Sequence, residues 1–265
     1  MKITVIGGGN MGLVYAKSIH ENFKNSTISI IEIDSTKIKN LKENTPFNIH
    51  TNPADCIPSA DVILLAIKPQ NSQLIFKKIK TLITKNQIII SIMAGVTIQT
   101  ISQGLNTLKV VRAMPNLPAQ IGHGVTGFIT SLEISNSEEI QVQEILAATG
   151  TAVKVTRESS IDAITALSGS GPAYVFYFMN AMMEKAQTLG FSESDAKNIV
   201  LNTFSGTDQL FESSNINSQT WIDKVTSKGG TTHAAITNFK HNNLSEKIQE
   251  GVQAAFDRAQ ELGKM

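Results

Sequence analysis

Cysteine is almost missing: Cys56 is the only one in 265 residues. A lone thiol cannot close an intrachain disulfide, which fits a reducing compartment, so a cytoplasmic location is expected. Nothing beside Cys56 in the sequence would activate it as a nucleophile. Aromatic residues are scarce at 6%, leaving isoleucine and leucine to fill the interior. Charge of one sign is also missing: the formal net charge is +1, which argues against a nucleic-acid footprint. The densest basic group, Lys77, Lys78 and Lys80, reads as a solvated helix face. No apolar run approaches the ~18 residues of a membrane helix. A strand pattern starts at Lys2, which leaves no room for a signal peptide. No short-period repeat or low-complexity tract is present. What is present, 41% apolar residues, suffices for one large core or two modest ones.

Apolar runs of strand type occur at Ile3–Ile6, Ile28–Ile33, Val62–Ile67, Ile88–Ile92, Lys109–Ala113, Val125–Ile129 and Ala152–Val155. Helical patterns such as Asn10–Asn22, Ser35–Glu43 and Gln70–Ile79 separate several of them. Buried strands alternating with helices imply a parallel sheet covered on both faces, wound right-handed in both directions. Near Arg157–Ser160 the strand signals stop. Helical patterns then run over Ser160–Leu167, Pro172–Leu189, Ser192–Glu212, Ser218–Val225, Thr231–Phe239 and Leu244–Leu262. The expected architecture is an α/β chain: a Rossmann-like doubly wound domain over 1–157 and an all-helical domain over 158–265. Pro172–Leu189 is apolar on more than one face, with Tyr174, Phe176, Tyr177, Phe178, Met179, Met182 and Met183. That pattern fits burial on several sides, either in an intertwined dimer or inside one subunit.

Gly7-x-Gly9-x-x-Gly12 follows a buried-type strand and opens a helix, the context a dinucleotide fingerprint requires. Gly7 permits the tight turn, Gly9 lets the backbone approach a pyrophosphate, and Gly12 lets the helix lie close to the strand. The helix N-terminus then favours the anion. Glu32 lies about twenty residues beyond Gly12, where an acid accepts hydrogen bonds from the adenosine ribose. A carboxylate there repels a 2′-phosphate, and Ile33 offers no guanidinium to offset it, so the local reading leans to NADH. Lys37 and Lys39 keep a phosphate within reach. Ala66-Ile67-Lys68-Pro69, Ser91–Gly95 and Met114-Pro115-Asn116 end further strands on the same edge. Lys68 there either flanks the cofactor or faces solvent. Asn116 either bonds a ligand or serves as a turn former.

Thr226-Ser227-Lys228-Gly229-Gly230-Thr231-Thr232 places hydroxyls around two glycines immediately before a helix. Backbone N–H groups and hydroxyls in such a loop can bind a carboxylate without any arginine. An ordinary turn capped by Thr231 or Thr232 would share the sequence.

Together these segments resemble the pyrroline-5-carboxylate reductase family, nearly end to end. The carriers are Gly7–Gly12, Ala66–Pro69, Ser91–Val96, Arg112-Ala113-Met114-Pro115-Asn116, the stretch Ser168-Gly169-Ser170-Gly171-Pro172-Ala173-Tyr174-Val175-Phe176, and Thr226–Thr232. The last three are the more specific. The resemblance implies a helical domain that dimerises, with larger rings of dimers possible in the family. It implies reduction of a cyclic imine to L-proline with NAD(P)H, and no metal. Matching positions imply that Ser227, Gly229, Gly230, Thr231 and Thr232 hold the substrate. Thr232 is the expected catalytic residue, hydrogen-bonded to the ring nitrogen. Asn10, Met11, Ala66, Lys68, Pro69 and Ala94 are implied to line the cofactor, beside Gly7, Gly9, Gly12, Glu32 and Asn116. Three positions depart from the family: Lys228 replaces a usual proline, Leu117 a usual threonine, and Ile33 a frequent arginine.

A protonated imine is already electrophilic, so the expected chemistry needs hydride, placement and a proton rather than a nucleophile. His123, His233 and His241 read as surface or structural residues. A β-hydroxyacid reductase on the same plan would carry a lysine just after the glycine-rich segment that opens the helical domain; Gly169–Phe178 has none. A non-catalytic NAD sensor would not need the Thr226–Thr232 loop.

Overall fold

The structure, a computed structural model, describes residues 1–263. Its first part runs β1 (Lys2–Ile6), α1 (Asn10–Asn22), β2 (Thr27–Ile31), α2 (Ser35–Asn44), β3 (Asn48–His50) and β4 (Val62–Leu65). There follow α3 (Ser72–Ile79), β5 (Ile88–Ser91), α4 (Ile98–Leu105), β6 (Val110–Met114), β7 (Gly124–Thr130), α5 (Asn136–Ala147) and β8 (Gly150–Lys154). The strands form one eight-stranded sheet in the order β3-β2-β1-β4-β5-β6-β7-β8. From β3 to β6 all pairings are parallel. The order reverses between β1 and β4, and such a reversal opens a crevice at the strands' carboxyl ends.

Alternate residues feed two cores. Val5, Val62, Leu64, Ile90 and Val111 face α1 and α5, where Tyr15, Ile19, Val142 and Ile145 meet them. Ile6, Ile63, Leu65, Ile89 and Val110 face α3 and α4, where Phe76, Ile79, Ile101 and Leu105 meet them. Period-two alternation with both faces covered is why these strands read as unbroken apolar runs.

One pairing departs from the expected parallel sheet. β7 runs antiparallel to β6, with Ala113 opposite Phe128. The link between them holds only a short 3₁₀ turn, Leu117–Ile121, which is too short for a parallel crossover. β8 then pairs parallel to β7.

The helical part runs α6 (Ser159–Ile164), a π-helical turn (Thr165–Gly169), α7 (Gly171–Thr188), α8 (Glu193–Glu212), α9 (Ser218–Val225), α10 (Thr231–His241) and α11 (Leu244–Leu262). The chain divides into two compact units: Met1–Gly171 joined by the stretch from Ala255 onward, and Pro172–Ala254. The second unit lacks a core of its own size. α7 has no buried residue, and neither do α9 and α10. Phe176 and Tyr177 are 59% and 81% exposed. Apolar surface of that extent marks an association face.

Candidate active site

The glycine turn is built as its residues require. Gly7 adopts φ +104°, and a Cβ there would lie 2.6 Å from the Ala66 carbonyl oxygen. Gly12 sits so near the Gly7 carbonyl that no side chain fits, with Ala66 Cβ 3.1 Å and Val5 Cγ1 3.2 Å from where its Cβ would be. Gly9 faces open space and is the N-cap of α1, with no side-chain cap.

A cavity of about 700 Å³ lies over this turn. Of the residues expected at the cofactor, Gly7, Gly9, Asn10, Met11, Glu32, Ala66, Lys68, Pro69 and Ala94 line it. Gly12 and Asn116 are not among its lining residues. Gly12 acts beneath it, by letting α1 close on the sheet. The Asn116 side chain accepts a bond from Val125 N (2.8 Å) and donates to Ser168 Oγ (3.1 Å). It thereby ties the loop after β6 to the π-helical turn.

Glu32 is neither a solvated strand-end charge nor a loosely held ribose acceptor. It is 8% exposed. Its Oε2 accepts Gly8 N–H at 3.1 Å, and its Oε1 accepts Ile33 N–H at 2.7 Å and Asp34 N–H at 3.0 Å. Lys37 Nζ stands 3.9 Å from Oε2. Gly8 was no part of the fingerprint reading, yet a Cβ there would press on Leu41 Cδ1 at 2.6 Å and Glu32 Oε2 at 3.3 Å.

Arg112 is 2% exposed and pairs with Glu158 Oε1 at 3.2 Å and Asp162 Oδ1 at 2.6 Å. Glu158 Oε1 also accepts Ile98 N–H at 2.8 Å. The guanidinium thus ties the middle of β6 to α6 and, through Glu158, to the start of α4. The displaced titrations belong to this framework. Burial pushes the Tyr15 phenol and the Cys56 thiol up, while hydrogen bonds from Lys109 and Lys154 draw the Glu138 and Glu139 carboxyls down.

In the second unit, α9 ends at Val225 and the Thr226–Gly230 loop leads into α10. Thr226 Oγ1 donates back to Ile222 O at 2.6 Å. Gly229 takes φ +76°, and Gly230 N–H donates to Ser227 O at 3.0 Å. Ser227 and Thr231 are exposed and Thr232 is half-buried in the first turn of α10. Neither threonine caps the helix. The N-cap is Gly230, with no side-chain bond.

The contrast among helix starts is informative. α2, α4, α5, α8 and α9 carry side-chain caps from Asp34, Thr97, Ser135, Ser192 and Asn217. α3 and α6 also lack a side-chain cap but start on Asn71 and Glu158, whereas α1 and α10 begin on glycine with no side-chain cap. The first N–H groups of a helix lack intrahelical acceptors, so an uncapped glycine start offers them to an anion. Both lie where the sequence reading expects one. Among the described residues, no three His, Cys, Asp or Glu side chains gather as a metal site.

The family model for pyrroline-5-carboxylate reductase dimerisation matches residues 158–262, and one for NADP oxidoreductase, coenzyme F420-dependent, matches 2–95. A pyrroline-5-carboxylate reductase of Pseudomonas aeruginosa is 31% identical over 99% of this chain and 97% of its own. That of Aquifex aeolicus is 32% identical over the same shares. The chain belongs to the pyrroline-5-carboxylate reductase family. Solved structures agree. The Coxiella burnetii pyrroline-5-carboxylate reductase matches with a TM-score of 0.90 at 32% identity, covering 99% of this chain and 98% of that one. The Plasmodium falciparum pyrroline carboxylate reductase, solved with NADP bound, shares the fold at a TM-score of 0.89 and 24% identity, over 99% and 98%. The three positions that the resemblance marks as departures lie at the surface: Ile33 at the rim of the cavity, Leu117 on the turn after β6, and Lys228 in the loop before α10.

Proposed function

We propose that the chain is a pyrroline-5-carboxylate reductase, an NAD(P)H-dependent oxidoreductase acting on a cyclic C=N bond. It reduces 1-pyrroline-5-carboxylate to L-proline, the last step of proline biosynthesis. The observation that carries this reading is the pair of uncapped, glycine-started helices in one chain, one under a dinucleotide-sized cavity and one behind the Ser227–Thr232 loop.

The cavity residues fit a dinucleotide: Gly9 leaves open space above the α1 N-terminus, where a pyrophosphate would sit. Gly7, Gly9, Asn10, Met11, Glu32, Ala66, Lys68, Pro69 and Ala94 are the lining residues we assign to that half, with Gly12 beneath the turn and Asn116 bracing the loop after β6 in support. When bound, the nicotinamide supplies hydride to the imine carbon. The protein's own work is binding and orientation. Ser227, Gly229, Gly230, Thr231 and Thr232 hold the substrate carboxylate with N–H and hydroxyl groups. The Thr232 hydroxyl bonds the ring nitrogen and keeps its proton in place as the carbon accepts hydride. Residues 1–157 serve the cofactor, and 158–265 serve the substrate and the assembly.

The chain forms a homo-oligomer through its helical part. We propose a dimer, with a larger ring of dimers as its further assembly. A cavity of about 640 Å³ in the helical unit is lined by Phe178, Met182, Phe204, Phe211 and Trp221, and the buried Trp221 Nε1 has no hydrogen-bond partner among the described residues. A second copy would cover that surface. No helix among the described residues is long and apolar enough to cross a membrane. We place the enzyme in the cytoplasm, with small molecules and its own copy as partners and no nucleic acid or membrane.

The test is oxidation of NADH and of NADPH, in parallel, with 1-pyrroline-5-carboxylate, followed by loss of absorbance. Imine-dependent oxidation of either supports the reading. Absence of turnover with both, in a protein that binds the cofactors, would overturn it.

A further inference from the structure

The choice between the two cofactors is written at the end of β2, and this inference rests on the dinucleotide reading of the cavity. We propose that Glu32, held rigidly by the backbone, makes the chain select NADH over NADPH. A carboxylate has about four acceptor positions. Three of them are taken by N–H groups of Gly8, Ile33 and Asp34. The remaining one lies on Oε2, the oxygen that touches the glycine-rich turn. Glu32 lines the cavity there.

Two consequences follow from that arrangement. A ribose 2′-hydroxyl can donate to the free position on Oε2. A 2′-phosphate only accepts at neutral pH, and it would meet a carboxylate that cannot swing aside without breaking three backbone hydrogen bonds, one of them buried and two partly buried. An acid on a flexible side chain could rotate away or be drawn off by a neighbour. This one is fixed.

The cations nearby do not reverse the argument. Lys37 is the one on the β2–α2 side of the cavity, and its charge already faces Glu32 Oε2 at 3.9 Å. Lys68 and Lys78 also line the cavity: Lys68 follows β4, across β1 from the end of β2, and Lys78 lies on α3, which touches the Pro53–Asp55 turn; among the described residues the ion pair of Glu32 is with Lys37. Lys39 is exposed on α2 and is not among the lining residues. Ile33, 76% exposed at the rim, offers no donor. Gly8 completes the device, because any side chain there would crowd the carboxylate.

The test is equilibrium binding of NADH and of NADPH to the full-length protein without imine, by nucleotide fluorescence or calorimetry. Working without imine keeps the result independent of whether that imine is the substrate. NADH is expected to bind at least about tenfold tighter, a difference of about 1.4 kcal/mol. Glu32→Ser should strengthen NADPH and weaken NADH, closing or inverting the ratio. Lys37→Met guards against a loosened glycine turn in the first variant. It leaves all three N–H bonds to Glu32 in place, and it should weaken NADPH severalfold further while NADH stays within about twofold. Equal or tighter binding of NADPH by the unaltered protein overturns the proposal. So does a Glu32→Ser protein that binds NADH normally with an unchanged ratio. Binding of neither nucleotide overturns the dinucleotide reading, and this inference with it.

Discussion

Gly230→Ala is a small change placed where structure and function separate. The backbone at Gly230 is extended (φ −80°, ψ 174°), which alanine adopts freely. The new methyl carbon would fall 2.5 Å from Ser227 Oγ and 3.2 Å from Ser227 O. The carbonyl needs to give by only a few tenths of an ångström. The hydroxyl must leave, and rotation of Ser227 about χ1 lets it do so cheaply. Folding should therefore be nearly untouched, with a midpoint in urea close to that of the parent. The substrate, however, loses a hydroxyl aimed at its carboxylate. A hydrogen bond to a charged group contributes about 1.5–3 kcal/mol, which corresponds to a loss of about 10- to 150-fold in kcat/KM for the imine. Cofactor binding, measured separately, should not move. Ser227→Ala should lose a similar amount, and the double variant should be little worse than either single one, because both remove the same contact. An unchanged kcat/KM in Gly230→Ala would refute the reasoning. Strict additivity with Ser227→Ala would also refute it, since the two losses would then have separate origins.

Thr232→Ala is expected to lower kcat/KM for the imine by about 10- to 150-fold, as one bond to a charged ring nitrogen disappears; turnover near the parent's would end that assignment. Tyr177→Glu, on the exposed face of α7, should weaken self-association by at least about a hundredfold, because an unpaired carboxylate costs several kcal/mol to bury. Light scattering on a sizing column reads the outcome, and an unchanged mass would remove α7 from the interface. Acid stability gives an independent check on the sheet. The Lys109 ammonium, 2.5 Å from Glu138 Oε1, lowers that carboxyl below its usual range. A depressed carboxyl stabilises the fold above its unfolded pKa of about 4.3, and that contribution fades as pH falls through the lower folded value. Lys109→Met should therefore be less stable than the parent at pH 7, with the gap narrowing at about pH 3. A gap that stays constant across that range would assign the loss to packing.

Much of this molecule was legible because burial and backbone geometry leave strong marks. Val62–Leu65 and Ile88–Ser91 are buried on both faces, so they stand out as apolar runs. Gly7 and Gly12 hold their places through sterics that no other residue satisfies. β3 escaped because it is three residues long, with Ile49 its only apolar residue. The direction of β7 was hidden because an alternating strand reads the same both ways; only the shortness of the Leu117–Ile121 link signals the reversal. The π-helical turn at Thr165–Gly169 has no sequence period distinct from that of an α-helix. At the site, the spacing from Gly12 located Glu32, but not the three N–H groups that hold it. Those come from Gly8 across a strand boundary and from the turn after β2, a juxtaposition made by tertiary structure. Asn116 reads as a turn former or a ligand group, and its bonds to Val125 and Ser168 make it a clasp between two segments distant in sequence.

The end of α11 has a consequence for how the chain is handled and made. Its last turns belong with the sheet-bearing unit, and Leu262 packs where a Cβ on Gly95 would sit, 2.8 Å from that position. The half that leaves the ribosome first is therefore finished by residues made well over a hundred positions later. A nascent chain can assemble its sheet early, yet the wall beside the Ser91–Val96 loop stays open until α11 has been made. Removing the segment from Leu262 onward, or fusing a bulky purification tag there, should disturb the nucleotide-binding half and leave the neighbouring helices intact.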